Sequence, residues 1–202
     1  MREMAARNDE RQDPVASYLA RKGVVLRVLL DTNVIQFLWS FGEYVYDGYL
    51  SPERERRLSR LNGNLRSDIE CLRIILGEAP TRTPVIPLVS ELSIRELEET
   101  GDSLKRARLL RWGIELMAFA SPSQSPTSKW RHQSRLDLKW NLPGTVDQLL
   151  LGECRRLNCE AIVTTDHKSI LSRRKGGRID GILVLSPTEW WTRLRPWWAL
   201  WV

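Results

Sequence analysis

Val24-Val25-Leu26-Arg27-Val28-Leu29-Leu30, followed at once by Asp31-Thr32-Asn33, is the stretch on which the fold turns. The run is aliphatic and β-branched almost without interruption. It does not alternate between a wet and a dry face, so it reads as a strand covered on both sides in a parallel sheet. Beyond it, Val34, Ile35, Phe37, Leu38 and Phe41 recur at helical spacing, so the chain turns near Asp31 into a helix that packs back on the strand and starts a βαβ unit. The same alternation returns downstream. Pro84-Val85-Ile86-Pro87-Leu88-Val89 reads as a second strand, with Pro87 placing it at an edge or a strand start. Residues 160–164 and 181–185 are two further short apolar strands. Between them lie a helix through Ile69, Leu72, Ile75 and Leu76 that ends at Gly77 and Pro80, and a helix opened by Ser93-x-x-Glu96 in the form of a capping box. After a break near Gly101 come a basic helix over about 103–119 and an apolar stripe of Val146, Leu149, Leu150, Cys154 and Leu157, with Thr145 as its N-cap. Strands alternating with helices predict an α/β fold with a central, mostly parallel sheet.

At 202 residues, with 42% hydrophobic and 28% charged residues, the chain is sized for one domain able to bury roughly 70% of its unfolded surface. It needs no disulfides or structural metal. The three cysteines, Cys71, Cys154 and Cys159, form no Cys-x-x-Cys pair and read as small buried apolar residues. With His132 and His167 the only histidines, a histidine-rich metal site is excluded and any catalytic metal must rest on oxygen ligands. No apolar run approaches the ~20 residues of a membrane span, and the N-terminus lacks the apolar middle of a secretory signal, so a cytoplasmic protein without stable membrane insertion is expected. Residues 1–20 read as a polar arm, 21–186 as the main domain, and 187–202 as a Trp-rich C-terminal segment. Within the domain, 51–66 looks like a charged insertion and 121–129 a Ser- and Pro-rich surface loop.

Four acids occupy positions where α/β proteins place their chemistry. Asp31 and Asp166 follow strands, at the carboxyl edge that the covering helices leave open. Glu96 and Asp147 fall in the expected first turns of helices, where the macrodipole tolerates negative charge. Carboxylates gathered without a counter-charge repel one another, and Mg²⁺ or Mn²⁺ would remove that penalty while bridging to a substrate phosphate. Hydrolysis of a phosphodiester by water is the reaction such a site suits. Each acid also has a plainer role open to it. Asp31 can cap the next helix, Glu96 can complete the capping box with Ser93, Asp147 can be a first-turn charge with Asp137 competing for its place, and Asp166 can close a turn.

Taken together, Val28-Leu29-Leu30-Asp31-Thr32-Asn33-Val34, Ser93-x-x-Glu96-Leu97, and Asp147 opening the helix before Ile162-Val163-Thr164-Thr165-Asp166 resemble the PIN-domain nucleases over about residues 24–185. The resemblance implies a PIN-like three-layer α/β/α fold and a Mg²⁺- or Mn²⁺-dependent endoribonuclease. Asp31, Glu96, Asp147 and Asp166 would be its metal-binding catalytic carboxylates, while Asn33 and Thr165 would orient carboxylates or the attacking water by hydrogen bonds. Many members are toxins of toxin–antitoxin pairs. A PIN-like module that binds RNA or acts as a scaffold without turnover is the alternative.

The charge balance agrees with an RNA partner: 31 basic against 25 acidic residues leave +6. Basic groups cluster at Arg54, Arg56, Arg57 and Arg60, at Lys105, Arg106, Arg108 and Arg111, and from Lys168 to Arg178. Lys168, Arg173 and Arg174 follow Asp166 closely and are the expected RNA-binding rim. Trp130 and Trp140 flank Arg131, His132, Arg135 and Lys139, a mixture able to stack unpaired bases. Five of the nine tryptophans lie in the C-terminal segment, which suggests an antitoxin or homodimer contact, or else packing onto this chain's own core.

Overall fold

The aliphatic run forms the expected strand, β1 (Arg27–Leu30), and the next residues form helix α1 (Thr32–Asp47). A computed structural model of the protein describes residues 21–22, 24–78, 85–120 and 145–200, and the side chains at 119–120, 145–147 and 199–200 fall outside that description. The expected N-terminal arm, the 121–129 loop, the Trp130–Trp140 stretch, Asp137 and Trp201 therefore lie outside the described residues.

After α1 come α2 (Pro52–Ser59) and α3 (Gly63–Leu72), so the charged insertion is itself helical. Helix α3 continues as a π-helical segment, Arg73–Glu78. Strand β2 (Ile86–Leu88) leads to α4 (Glu91–Glu98) and α5 (Ser103–Ala120). Next come α6 (Thr145–Arg156), β3 (Ala161–Val163), α7 (Ile170–Arg173), β4 (Arg178–Ile179), β5 (Ile182–Leu185), α8 (Pro187–Leu194) and a 3₁₀ segment, Arg195–Leu200.

The strands form one sheet in the order β2-β1-β3-β5-β4. The first four neighbours pair in parallel and β4 runs antiparallel to β5. Strand β4 went unread in the sequence because it is two residues long and follows a turn through Gly176 (φ 58°) and Gly177 (φ 77°), a left-handed backbone that favours glycine. Pro87 sits in β2 at the sheet edge, where a missing N–H costs no ladder bond.

The unbroken apolar character of β1 has a direct structural cause. Val28 and Leu30 belong to one core with Val34, Ile35 and Leu38 of α1, while Leu29 faces a second core with Leu150, Leu151 and Cys154 of α6. The same division runs through β3, where Ala161 and Val163 meet the first core and Ile162 the second. Helices thus cover both faces of the sheet, as a parallel sheet requires. All three cysteines are free thiols, with Cys71 and Cys154 buried and Cys159 half-buried. No helix among the described residues is long and apolar enough to cross a membrane.

The Trp-rich segment packs on the chain's own first core. Trp190 is fully buried and its indole N–H donates to the Val25 carbonyl at 3.0 Å. Trp191, Trp197 and Trp198 pack against the same core, with the rings of Trp191 and Trp198 edge to face at 4.9 Å. Helix α8 begins in a full capping box of Ser186 and Glu189, and Arg174 clamps the Glu189 carboxylate while also donating to the Val184 carbonyl. Burial alone would raise the Glu189 carboxyl, but the bonds from Arg174 and Ser186 outweigh it and hold the group below its ordinary value. A depressed folded-state value means stability that is complete above the unfolded carboxyl range, near 4.5, and lost as pH falls through the lower folded value. Glu189→Gln should therefore flatten the acid side of the stability profile relative to wild type in denaturant titrations below about pH 5, with little change near neutrality in the slope against pH. An unchanged slope would remove the Arg174–Glu189 pair from the account of acid stability.

Candidate active site

The sheet order places a switch point between β1 and β3. The chain leaves β1 for β2 on one side and reaches β3 on the other, so the connections diverge and open a crevice beyond the carboxyl ends of these two strands. Asp31 ends β1 at this point. It is buried, and its backbone N–H donates to the Val163 carbonyl at 3.0 Å, extending the β1–β3 ladder by one residue.

The Asp31 side chain does cap α1, with Oδ1 accepting the Thr32 N–H at 2.8 Å. Capping uses one oxygen only. The other, Oδ2, accepts the Thr164 hydroxyl at 2.6 Å and the Asn33 amide at 3.3 Å. The β1–β3 register pairs Leu30 with Val163, so Asp31 and Thr164 come next on adjacent strands and stand side by side. Asn33 thus donates to the Asp31 carboxylate. The threonine hydroxyl that meets Asp31 belongs to Thr164, whereas Thr165 is buried and gives its carbonyl to the His167 N–H at 3.0 Å.

Glu96 does not close a capping box. Helix α4 starts earlier than the sequence suggests, capped by Ser90, whose hydroxyl accepts the Ser93 N–H at 3.0 Å. Ser93 becomes an interior residue and Glu96 falls in the second turn of α4, not the first. Its carboxylate is thereby released from the helix end, and it accepts the hydroxyl of Thr32.

Asp166 follows β3 and makes the turn into α7. Its Oδ1 accepts the N–H groups of Lys168 at 3.1 Å and Ser169 at 2.8 Å, and its Oδ2 accepts the Ser169 hydroxyl. Burial works to raise this carboxyl, but the Ser169 and Lys168 bonds and the neighbouring His167 more than offset it, so Asp166 lies below the ordinary aspartate value and is ionised near neutrality. The Asp166 N–H donates to Thr164 Oγ1 at 3.0 Å. One chain of bonds therefore runs from Glu96 through the Thr32 hydroxyl and N–H to Asp31, and on through the Thr164 hydroxyl to the Asp166 backbone.

Thr164 is the centre of this chain. Thr164→Val keeps the shape but leaves the buried Asp31 Oδ2 without its strongest donor, which should cost roughly 1–3 kcal/mol in denaturant unfolding. Thr164→Ser should restore that stability. Wild-type stability in the valine variant would show that the hydroxyl does not hold Asp31.

Asp147 lies in the first turn of α6. Its side chain lies outside the described residues, and α6 is in contact with α4. Of the expected RNA-binding cations, Lys168 and Arg173 are exposed at the surface beyond Asp166, whereas Arg174 is engaged with Glu189 and Val184.

A pair that the sequence reading passed over also lies here. Asp68 of α3 is buried, and its carboxylate accepts the N–H and hydroxyl of Thr188 at 3.1 and 2.7 Å and meets His167 Nε2 at 2.7 Å. Its signal was a carboxylate beside Ile69, Cys71 and Leu72 on an otherwise apolar helix face.

Among the described residues, no three carboxylate, imidazole or thiol groups converge closely enough to hold one metal ion. The donors present at the crevice are oxygens, the class that hard divalent cations take. No family model matches the chain, and neither a curated protein nor a solved structure does.

Proposed function

We propose that the protein is a PIN-like, metal-dependent endoribonuclease that hydrolyses RNA phosphodiester bonds at the β1–β3 crevice. The observation that supports the reading best is the bonded chain linking Glu96, Asp31 and Asp166 through Thr32 and Thr164 at the topological switch point. A helix cap at Asp31 would not need Thr164, and a helix at Glu96 would not need Thr32. Asp31, Glu96, Asp147 and Asp166 would hold Mg²⁺ or Mn²⁺. Such an ion, when bound, supplies Lewis-acid activation of water and neutralises charge on the phosphate.

The chain's own groups have distinct parts in this reading. Thr164 and Asn33 fix the Asp31 carboxylate, Ser169 and the 168–169 amides keep Asp166 ionised, and Lys168 and Arg173 offer salt-sensitive contacts to backbone phosphates. A second reading is an RNA-binding module without turnover, which the exposed Lys168 and Arg173 beside Asp166 would also serve. Labelled single-stranded RNA incubated with Mg²⁺, Mn²⁺ or EDTA separates the two. Metal-dependent cleavage abolished by EDTA is the result expected of the nuclease, and binding without cleavage under any metal would leave the module.

A further inference from the structure

The carboxyl edge carries a second polar cluster beside the linked acids. Asp68 reaches it from α3, Thr188 from the start of α8 beyond β5, and His167 from the loop after β3. The carboxylate is enclosed, its side chain 1% exposed, and each of its bonds comes from one of these two partners. Thr188 occupies Oδ1 with both of its donors, and Oδ2 is held against His167 Nε2 at 2.7 Å. This fixes the ring orientation and leaves Nδ1 as the outward polar atom. The ring is 30% exposed, no described group bonds its Nδ1, and it stands between Asp166 and the exposed Lys168.

A histidine needed only as structural filler would not have one nitrogen locked by a buried carboxylate and the other left facing solvent beside an ionised acid and a cation. We propose that His167 is a substrate-contacting residue, oriented by Asp68, whose Nδ1 meets the sugar–phosphate backbone of RNA lying along the carboxyl edge from Asp31 past Asp166. The proposal rests on the RNA-binding reading above, but not on turnover.

The two amide replacements divide the ring's functions. Glutamine reaches where Nε2 lies and keeps the bond to Asp68, whereas asparagine reaches where Nδ1 lies and loses that bond. Binding of labelled, mixed-sequence single-stranded RNA is measured in EDTA, so that affinity is read without cleavage, with thermal melts confirming the fold. His167→Gln should melt like wild type yet raise Kd about three- to tenfold, the value of one lost hydrogen bond. His167→Asn should melt lower but retain more of the affinity. Wild-type affinity in His167→Gln overturns the proposal while leaving RNA binding intact. Failure of the wild-type protein to bind RNA overturns both. Binding that depends on His167 in a protein that never cleaves upholds this contact and removes only the nuclease reading.

Discussion

Asp31→Asn should lower metal-dependent RNA cleavage by about 10³-fold, as loss of an electrostatic group at the reacting centre commonly does, while RNA affinity stays within a few-fold of wild type. The argument is local. Asparagine caps helices as well as aspartate, so α1 keeps its start and the side-chain oxygen can still accept the Thr32 N–H. The new amide nitrogen would face Thr164, whose hydroxyl can rotate to accept as readily as it donates, and the exposed Asn33, whose amide can turn its oxygen toward it. Fold and binding surface are therefore preserved, and only the charge is removed. That charge is what a divalent cation would need and what a phosphate would not miss. Cleavage rate, RNA Kd and thermal melting together read the result. Undiminished cleavage would move the reaction away from the crevice, and loss of binding together with melting temperature would assign Asp31 to the fold alone.

Gly77→Ala should be the most damaging small substitution to stability. Gly77 lies in the π-helical segment packed on α1, and a Cβ there would stand 1.8 Å from the Val45 carbonyl oxygen and 3.0 Å from its carbon. Both are backbone atoms in the last turns of α1, so no rotamer change can relieve the overlap. The helix or the segment has to shift, carrying Val45, Ile75 and Leu76 out of the first core. Overpacking of this kind typically costs about 3 kcal/mol, and for a chain of this size that lowers Tm by about 6 to 12 °C. Gly63, which opens α3 with nothing within 4 Å of a Cβ, is the control, and its alanine variant should melt near wild type. Equal melting temperatures for the two variants would refute the close approach of the segment to Val45.

Much of the sheet was legible because its signal is local. A strand with both faces buried has no polar alternation to offer, and the run at β1 announces this directly, as Pro87 announces an edge. Asp31 and Asp166 were found by the same rule, since a carboxylate straight after such a strand lies at the open end of the sheet. Glu96 was located, but its helix start was misread. Ser93 and Glu96 have capping-box spacing, and Ser90 three residues earlier offers the same hydroxyl, so the packing of α4 chose between them. The tryptophans of the C-terminus pose a similar choice, since composition alone does not say whether Trp190 meets this chain or another. Its bond to Val25, 165 residues away in sequence, decided for this chain.

The sequence by itself thus determined the α/β class, the parallel strands and the acids at their ends, because periodicity and residue type act over a few residues. Tertiary structure alone decided that Thr164 rather than Thr165 holds Asp31, that Thr32 joins Glu96 to it, and that Asp68 orients His167. Each of those contacts depends on the register between strands or on helices 64 to 133 residues apart in the chain. Alternating side chains reverse their face with a one-residue change of register, and only the packed sheet fixes that register.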